Sequence, residues 1–262
     1  MFVNKKIMRI VSYNVNGIRS AVTKGLVDWI KEDSADIYCF QELKANKEDV
    51  PAALFEALGY HCYWFSAQKK GYSGVGVISK IKPNEVVYGC GLAQADFEGR
   101  VIQLSFDHFT LINTYFPSGS SGDERQDYKM IFLNDYLSFL KTKLIHPNSQ
   151  LIVAGDYNIC HQAIDIHDPK GNKDSSGFLP EERAWMDDFF NVGMVDSFRH
   201  INKDPHQYSW WSFRANARNN NKGWRIDYIN VSQSLKDKIH HAEILPSIKH
   251  SDHCPVALKL II

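Results

Sequence analysis

The chain has 262 residues, 44% of them hydrophobic and 13% aromatic, enough to bury a sizeable core as one large domain or two small ones. Thirty basic residues balance thirty acidic ones, so no global charge draws the chain to nucleic acid or membrane, and any polyanion site has to be a local patch. Five scattered cysteines (Cys39, Cys62, Cys90, Cys160, Cys254) are odd in number and form no Cys-x-x-Cys pair, which favours reduced thiols over disulfides or a zinc site. The first residues, 1–9, carry no apolar stretch behind their basic groups, and nothing approaches a membrane span. A soluble, cytoplasmic protein is expected.

Residues 9–13 predict a strand, followed by Asn14-Val15-Asn16-Gly17, two neutral amides two positions apart before a glycine turn. They are turn formers, and also groups that touch an anion or a metal without adding charge. Leu26, Trp29 and Ile30 recur at helical spacing. Residues 35–40 predict a buried strand ending in Gln41-Glu42-Leu43-Lys44, an acid at a second strand tip. A short helix is expected over 51–58. Short strands follow over 61–66, 75–79, 86–89, 101–106 and 109–115, with Lys69-Lys70-Gly71-Tyr72-Ser73-Gly74 as a hairpin loop. The last of them ends at Tyr115, facing a Gly- and Ser-rich loop. A long amphipathic helix then carries Leu133, Tyr136, Leu137, Leu140 and Leu144 on one face and closes at Pro147.

Leu151-Ile152-Val153-Ala154-Gly155-Asp156-Tyr157-Asn158 is a short apolar run that opens into polar residues. That is the pattern of a strand buried on both faces until it emerges at its tip. Gly155 lets the backbone pass close to a neighbour. Asp156 and Asn158 point the same way in extended geometry, which sets a carboxylate beside a carboxamide. The pair suits proton transfer and hydrogen bonding at an electrophile; it is also the composition of a plain strand exit.

A long polar connection, 161–177, contains Pro169-Lys170-Gly171-Asn172-Lys173; compact domains keep loops of that length mainly for binding. Pro180-Glu181-Glu182 opens a helix that runs to about Val192, with Gly193 as its cap. Residues 208–213 predict an aromatic strand. Beyond it, Arg214, Arg218 and the run Asn219 to Lys222 lie beside Trp210, Trp211 and Trp224, which reads as a local nucleic-acid patch or as a solvated hairpin. Residues 224–231 predict a strand with Asp227 in its middle, an acid that needs a partner when buried. The final strand, 255–260, follows Ser251-Asp252-His253-Cys254. Polar strand tips occur in both halves, a coarse internal echo.

Strand runs alternating with helices predict an α/β fold in which two sheets pack face to face with helices outside. If the polar tips gather at one rim, several acids meet one histidine there, and acids that close need a cation. Carboxylate and amide oxygens without thiolates favour Mg²⁺, with Mn²⁺ as a substitute. A hard cation beside a base and hydrogen-bond donors is the equipment of phosphoryl transfer to water. Ser251, Asp252 and His253 do not make a serine-hydrolase triad, because three consecutive residues cannot line up as nucleophile, base and orienting acid.

Asn14-Val15-Asn16-Gly17-Ile18-Arg19, Gln41-Glu42-Leu43-Lys44, Gly155-Asp156-Tyr157-Asn158, Gly223-Trp224-Arg225-Ile226-Asp227-Tyr228 and Ser251-Asp252-His253 together resemble, in order, the motifs of the exonuclease III family of apurinic/apyrimidinic (AP) endonucleases. The likeness covers the chain from Met8 onward. It implies a four-layered α/β sandwich of the DNase I-like type, with residues 8–262 as a single domain and 1–7 as a short extension. It also implies a Mg²⁺-dependent, monomeric DNA-repair nuclease that cuts duplex DNA 5′ to abasic sites and trims blocked 3′ ends. By the same resemblance, Glu42 would bind the metal with support from Asn14 and Asp252, within a wider set that includes Asp156, Asn158 and His253. Asp156 would activate water, with Asn158 holding the geometry. His253, oriented by Asp227, and Tyr115 would act on the phosphate. Asn16, Asn172, Trp210, Trp224 and Ile226 would meet the substrate, the last three walling a pocket for a flipped-out abasic sugar. After Tyr115 the loop lacks the DNA-wedging arginine of some relatives, which leaves Arg125 as the nearest stand-in. Two other readings compete: a non-catalytic regulator on the same scaffold, and a phosphodiesterase for lipid or inositol phosphates.

Overall fold

The computed structural model describes residues 7–262. The chain lays down β1 (Ile7–Asn14), β2 (Ile37–Gln41), β3 (His61–Phe65) and β4 (Val75–Ser79) in a first sheet. It then crosses to a second sheet for β5 (Glu85–Tyr88), β6 (Val101–Ser105), β7 (Thr110–Tyr115), β8 (Leu151–Asp156), β9 (Met194–Asp196) and β10 (Asp227–Ser232). It returns to the first with β11 (Ile239–Ile244) and β12 (Val256–Ile261). The helices are α1 (Ile18–Thr23), α2 (Leu26–Asp33), α3 (Ala52–Glu56), α4 (Ala93–Phe97), α5 (Asp123–Lys143), α6 (Pro180–Asn191) and α7 (Ser197–Ile201).

The central strands are buried on both faces, and their period of two sorts residues between two cores. Ile10 of β1 and Ile152 and Ala154 of β8 point between the sheets into one shared cluster. Val11 and Tyr13 point outward against Ile18, Leu26 and Ile30 of α1 and α2. Val153 packs outward on Phe132, Leu133 and Tyr136 of α5 and Trp185 and Met186 of α6. Helix, sheet, sheet and helix therefore form the expected four layers.

The internal echo is a topological repeat. The sheets run β11-β12-β1-β2-β4-β3 and β5-β6-β7-β8-β10-β9. Position by position, both pair antiparallel, antiparallel, parallel, antiparallel, antiparallel. Each sheet has one central parallel pair, β1/β2 and β7/β8, and the carboxyl ends of parallel strands are where α/β sheets place ligands.

Several expectations are corrected. Residues 208–213 are not a strand: Trp210 makes only isolated bridges, to Trp224 and His253, and the chain then turns outward to leave Phe213 77% exposed. Because Trp224 pairs with Trp210 and Ile166, β10 begins only at Asp227, which stands at a strand tip opposite Asp156 and not in mid-strand. Helix α5 is capped at Leu144, before Pro147. Ile7 belongs to β1, paired with Ile261, so the extension retains at most residues 1–6, which lie outside the described residues.

Gly155 (φ +150°) lies where β8 passes β7, and a methyl group there would run into the Thr114 carbonyl oxygen. Gly155→Ala is expected to destabilise the protein by about 1–3 kcal/mol through that clash, measured by chemical denaturation. Unchanged stability would contradict this packing.

Candidate active site

The tips of the two parallel pairs meet at one rim. Asn14 ends β1, Glu42 follows β2, Tyr115 ends β7 and Asp156 ends β8; Asp227 opens β10. Asn14 Nδ2 joins the two sheets here, donating to Glu42 Oε1 at 3.0 Å and to Asp156 Oδ2 at 2.8 Å. Tyr115 donates its hydroxyl to the same Glu42 oxygen at 2.6 Å. The other Glu42 oxygen faces Lys44 Nζ at 2.7 Å. Burial opposes charge on Glu42, but Lys44, Tyr115 and Asn14 prevail and hold its carboxyl below the ordinary value. Glu42 sits at φ +52° and Asn158 at +53°, left-handed turns that aim both side chains back at the rim.

Asp156 is buried. Its Oδ1 accepts the Asn158 backbone N–H at 2.8 Å, while Asn158 Nδ2 holds the Phe116 carbonyl at 3.0 Å. Burial, and then the facing charge of Asp227, push the Asp156 carboxyl up from the usual range. His253 Nδ1 is 2.9 Å from Asp227 Oδ2, and its Nε2 faces Asp156 Oδ2 at 3.9 Å. Burial opposes a charged imidazole, yet Asp227 and Asp156 raise its pKa, so it is held protonated. Ser209 Oγ also donates to Asp227 Oδ2 at 2.7 Å, and Oδ1 of Asp227 is buried with no partner among the described residues. The expected partner of Asp227 is therefore present.

Asp252 sits on the wall. It accepts from Asn16 Nδ2 at 2.8 Å and from Trp210 Nε1 at 3.0 Å. Burial opposes its charge; His253, Asn16 and Trp210 outweigh that and lower its pKa.

These groups floor a cleft of about 930 Å³ whose lining includes Glu42, Tyr115, Asn158, Asp252 and His253. One wall is Trp210, Trp224 and Ile226, with the two indoles edge to face at 5.9 Å. The opposite lip is the loop Ser118 to Asp123, and Ser175 and Ser176 bring the long 161–177 connection to the same cleft.

Two sequence candidates do not reach it. Asn172 Nδ2 donates to the carbonyls of His167 and Asp168, so it ties its own loop. Arg125 is held by Glu98 at 3.0 Å and Tyr72 at 3.0 Å and stacks on Tyr128, which leaves it no freedom to act as a wedge. Two further residues belong to the site: Lys44, at the end of the Gln41-Glu42-Leu43-Lys44 motif, and Ser209, which carries no sequence signal.

The donor set fits a hard divalent cation. Ligand atoms of Glu42, Asp156 and His253 lie within 4.8 Å of one another. Among the described residues, the carboxylates of Glu42, Asp156, Asp227 and Asp252 make ion-pair contacts with Lys44 and His253, fewer positive charges than negative, an imbalance that a divalent ion would correct. Carboxylates, a protonated imidazole, a phenol and amides around one open cleft are the groups of a metal-assisted phosphodiester or phosphomonoester hydrolase.

Residues 11–253 match the Endonuclease/Exonuclease/phosphatase family, and the chain belongs to it. The expected likeness to its exonuclease III and AP endonuclease branch holds. An exodeoxyribonuclease of Bacillus subtilis is 44% identical over 253 residues, covering 96% of this chain and 98% of that one. The DNA repair nuclease APEX1 of Danio rerio is 38% identical, covering 97% and 83%. Among solved structures, an AP endonuclease from Archaeoglobus fulgidus superposes with a TM-score of 0.89 at 28% identity, covering 97% of this chain and all of the other. No helix among the described residues is long and apolar enough to cross a membrane.

Proposed function

We propose that this protein is a Mg²⁺-dependent DNA-repair nuclease, with Mn²⁺ as a substitute, that hydrolyses the phosphodiester 5′ to abasic sites in duplex DNA and trims 3′ ends during base excision repair. The observation that carries this reading is the convergence of Glu42, Asp156 and His253 beneath a cleft walled by Trp210, Trp224 and Ile226. We take residues 7–262 as one working domain, monomeric and cytoplasmic; the free cysteines agree with a reducing compartment.

Glu42, with its pKa held low, would be the principal carboxylate to hold the metal, and Asn14 bridges it to Asp156. A bound divalent cation supplies charge stabilisation on the phosphate oxygens. Asp156, raised toward neutrality by burial, is suited to take a proton from water, and Asn158 holds its orientation. His253, fixed by Asp227 through Nδ1, keeps its Nε2 facing Asp156 at the cleft, where a protonated ring would donate to a phosphate oxygen. Tyr115 is kept protonated by burial and by Glu42; its one hydroxyl hydrogen is given to Glu42 and would have to leave that oxygen to reach a phosphate. The non-catalytic reading is disfavoured because every one of these groups is present and oriented.

EDTA is expected to abolish strand incision, with Mg²⁺ or Mn²⁺ restoring it in a gel assay; full activity in EDTA would rule out the metal. Trp210, Trp224 and Ile226 form a large apolar wall of the cleft, and such a wall would take a sugar without its base and reject a nucleotide that still carries one. Trp224→Ala is expected to lower the ratio of abasic to intact-duplex cleavage by about 10-fold or more. An unchanged ratio would remove Trp224 from that role.

A further inference from the structure

The loop from Ser212 to Gly223 is basic, and by composition its arginines read as nucleic-acid contacts or as members of a solvated hairpin. Arg218 has its guanidinium engaged elsewhere. Nη1 donates to the carbonyl oxygens of Ser251 at 2.8 Å and His253 at 3.3 Å, and Nη2 to those of Pro246 at 3.1 Å and Ile248 at 2.5 Å. The group lies over the Trp211 ring, 4.7 Å from its centroid. That ring is itself fixed, because Trp211 Nε1 donates to Asn221 and its backbone N–H to the Asp252 carbonyl. All four acceptors of Arg218 lie in one stretch, 246–253, which joins β11 to β12 without a helix or strand of its own and ends in Asp252 and His253.

An irregular segment has no ladder to fix its carbonyls, so its shape depends on donors supplied from outside. One planar fork meeting four carbonyls supplies them at once, and an ammonium, a point charge on a flexible stem, does not reproduce that. The side chain lines a separate cavity with His206, Tyr208 and Lys249, which shares no lining residue with the catalytic cleft.

We propose that Arg218 is a positioning residue: it shapes the 246–253 segment so that Asp252 and His253 face the cleft, and it does not bind nucleic acid. The proposal rests on the reading of the cleft as a nuclease site.

The test compares wild type with R218A and R218K, well below each variant's unfolding temperature. Three quantities are read: single-turnover cleavage of an abasic duplex, affinity for that duplex in EDTA across a salt series, and the ¹³C-histidine spectrum. R218A is expected to cut about 10–100-fold more slowly, the scale set by ångström-level misplacement of reacting groups. Its affinity and salt slope are expected to stay at wild-type values, and R218K to recover little of the rate. A salt slope reduced by about one, with R218K restoring binding, would make Arg218 a phosphate contact and overturn the proposal. So would wild-type cleavage by either folded variant. Should R218A fail to fold, R218K decides: a displaced His253 resonance supports positioning, and an unmoved one overturns it. If wild type does not cut the abasic duplex, the nuclease reading fails, and the histidine spectrum still decides the role of Arg218.

Discussion

Asp156→Asn is expected to slow incision at an abasic site by about 10²–10⁴-fold, the range lost with a general base, while duplex affinity and fold persist. The substitution keeps the shape of the side chain and one oxygen to accept the Asn158 N–H. It removes the proton acceptor, and it sets an amide nitrogen against either Asn14 Nδ2 or the Asn158 N–H, both donors. The fold survives because Asp156 is buried opposite Asp227 and near Glu42, so loss of its charge relieves repulsion as it removes hydrogen bonds. Single-turnover kinetics with a binding control measure this. A rate within a few-fold of wild type would remove Asp156 from the chemistry.

The largest stability effect is expected at a residue that no motif contains. Lys129 of α5 is fully buried; its Nζ lies 2.5 Å from Glu182 Oε1 and 2.8 Å from the Asn158 carbonyl oxygen. Glu182, at the start of α6, uses its other oxygen to accept the backbone N–H groups of Gly177 and Leu179. One ion pair thus ties two helices, the turn after Asp156, and the loop that carries Ser175 and Ser176 to the cleft. Burial lowers the Lys129 pKa even with Glu182 beside it, a sign of how costly the desolvated charge is. Lys129→Ala strands the Glu182 carboxylate and is expected to cost about 3–5 kcal/mol in chemical denaturation. Lys129→Met with Glu182→Gln is expected to recover much of that, because the apolar stem is kept and no unpaired charge remains. A single-variant loss below about 1 kcal/mol would show the pair to be hydrated or dispensable.

The strands that build the site were legible because each is a short apolar run ending in polar residues, and a strand buried on both faces leaves no other place for them. Asp156, Glu42 and Asn14 were found that way. Asp227 reads as mid-strand, because the sequence does not show that Trp224 leaves the ladder to pair with Trp210. The aromatic run 208–213 matched a strand by composition but lacks a continuous partner, and pairing is a property of two segments. Arg125 and Arg218 illustrate the same limit from another side: a basic residue in a loop reads as a contact for phosphate, yet here Glu98 holds one and backbone carbonyls hold the other. The pairing of Lys129 with Glu182 spans more than fifty positions, and no local pattern announces it.

The central claim is that the strand-tip cleft cuts DNA where a base is missing. It is tested most directly by incubating the protein and Mg²⁺ with a duplex bearing one abasic analogue, beside the same duplex with the base restored. A single incision on the 5′ side of the analogue, leaving a 3′ hydroxyl, with the intact strand uncut at that position, is the expected result. Cleavage on the 3′ side, or equal cleavage of both duplexes, would contradict the account.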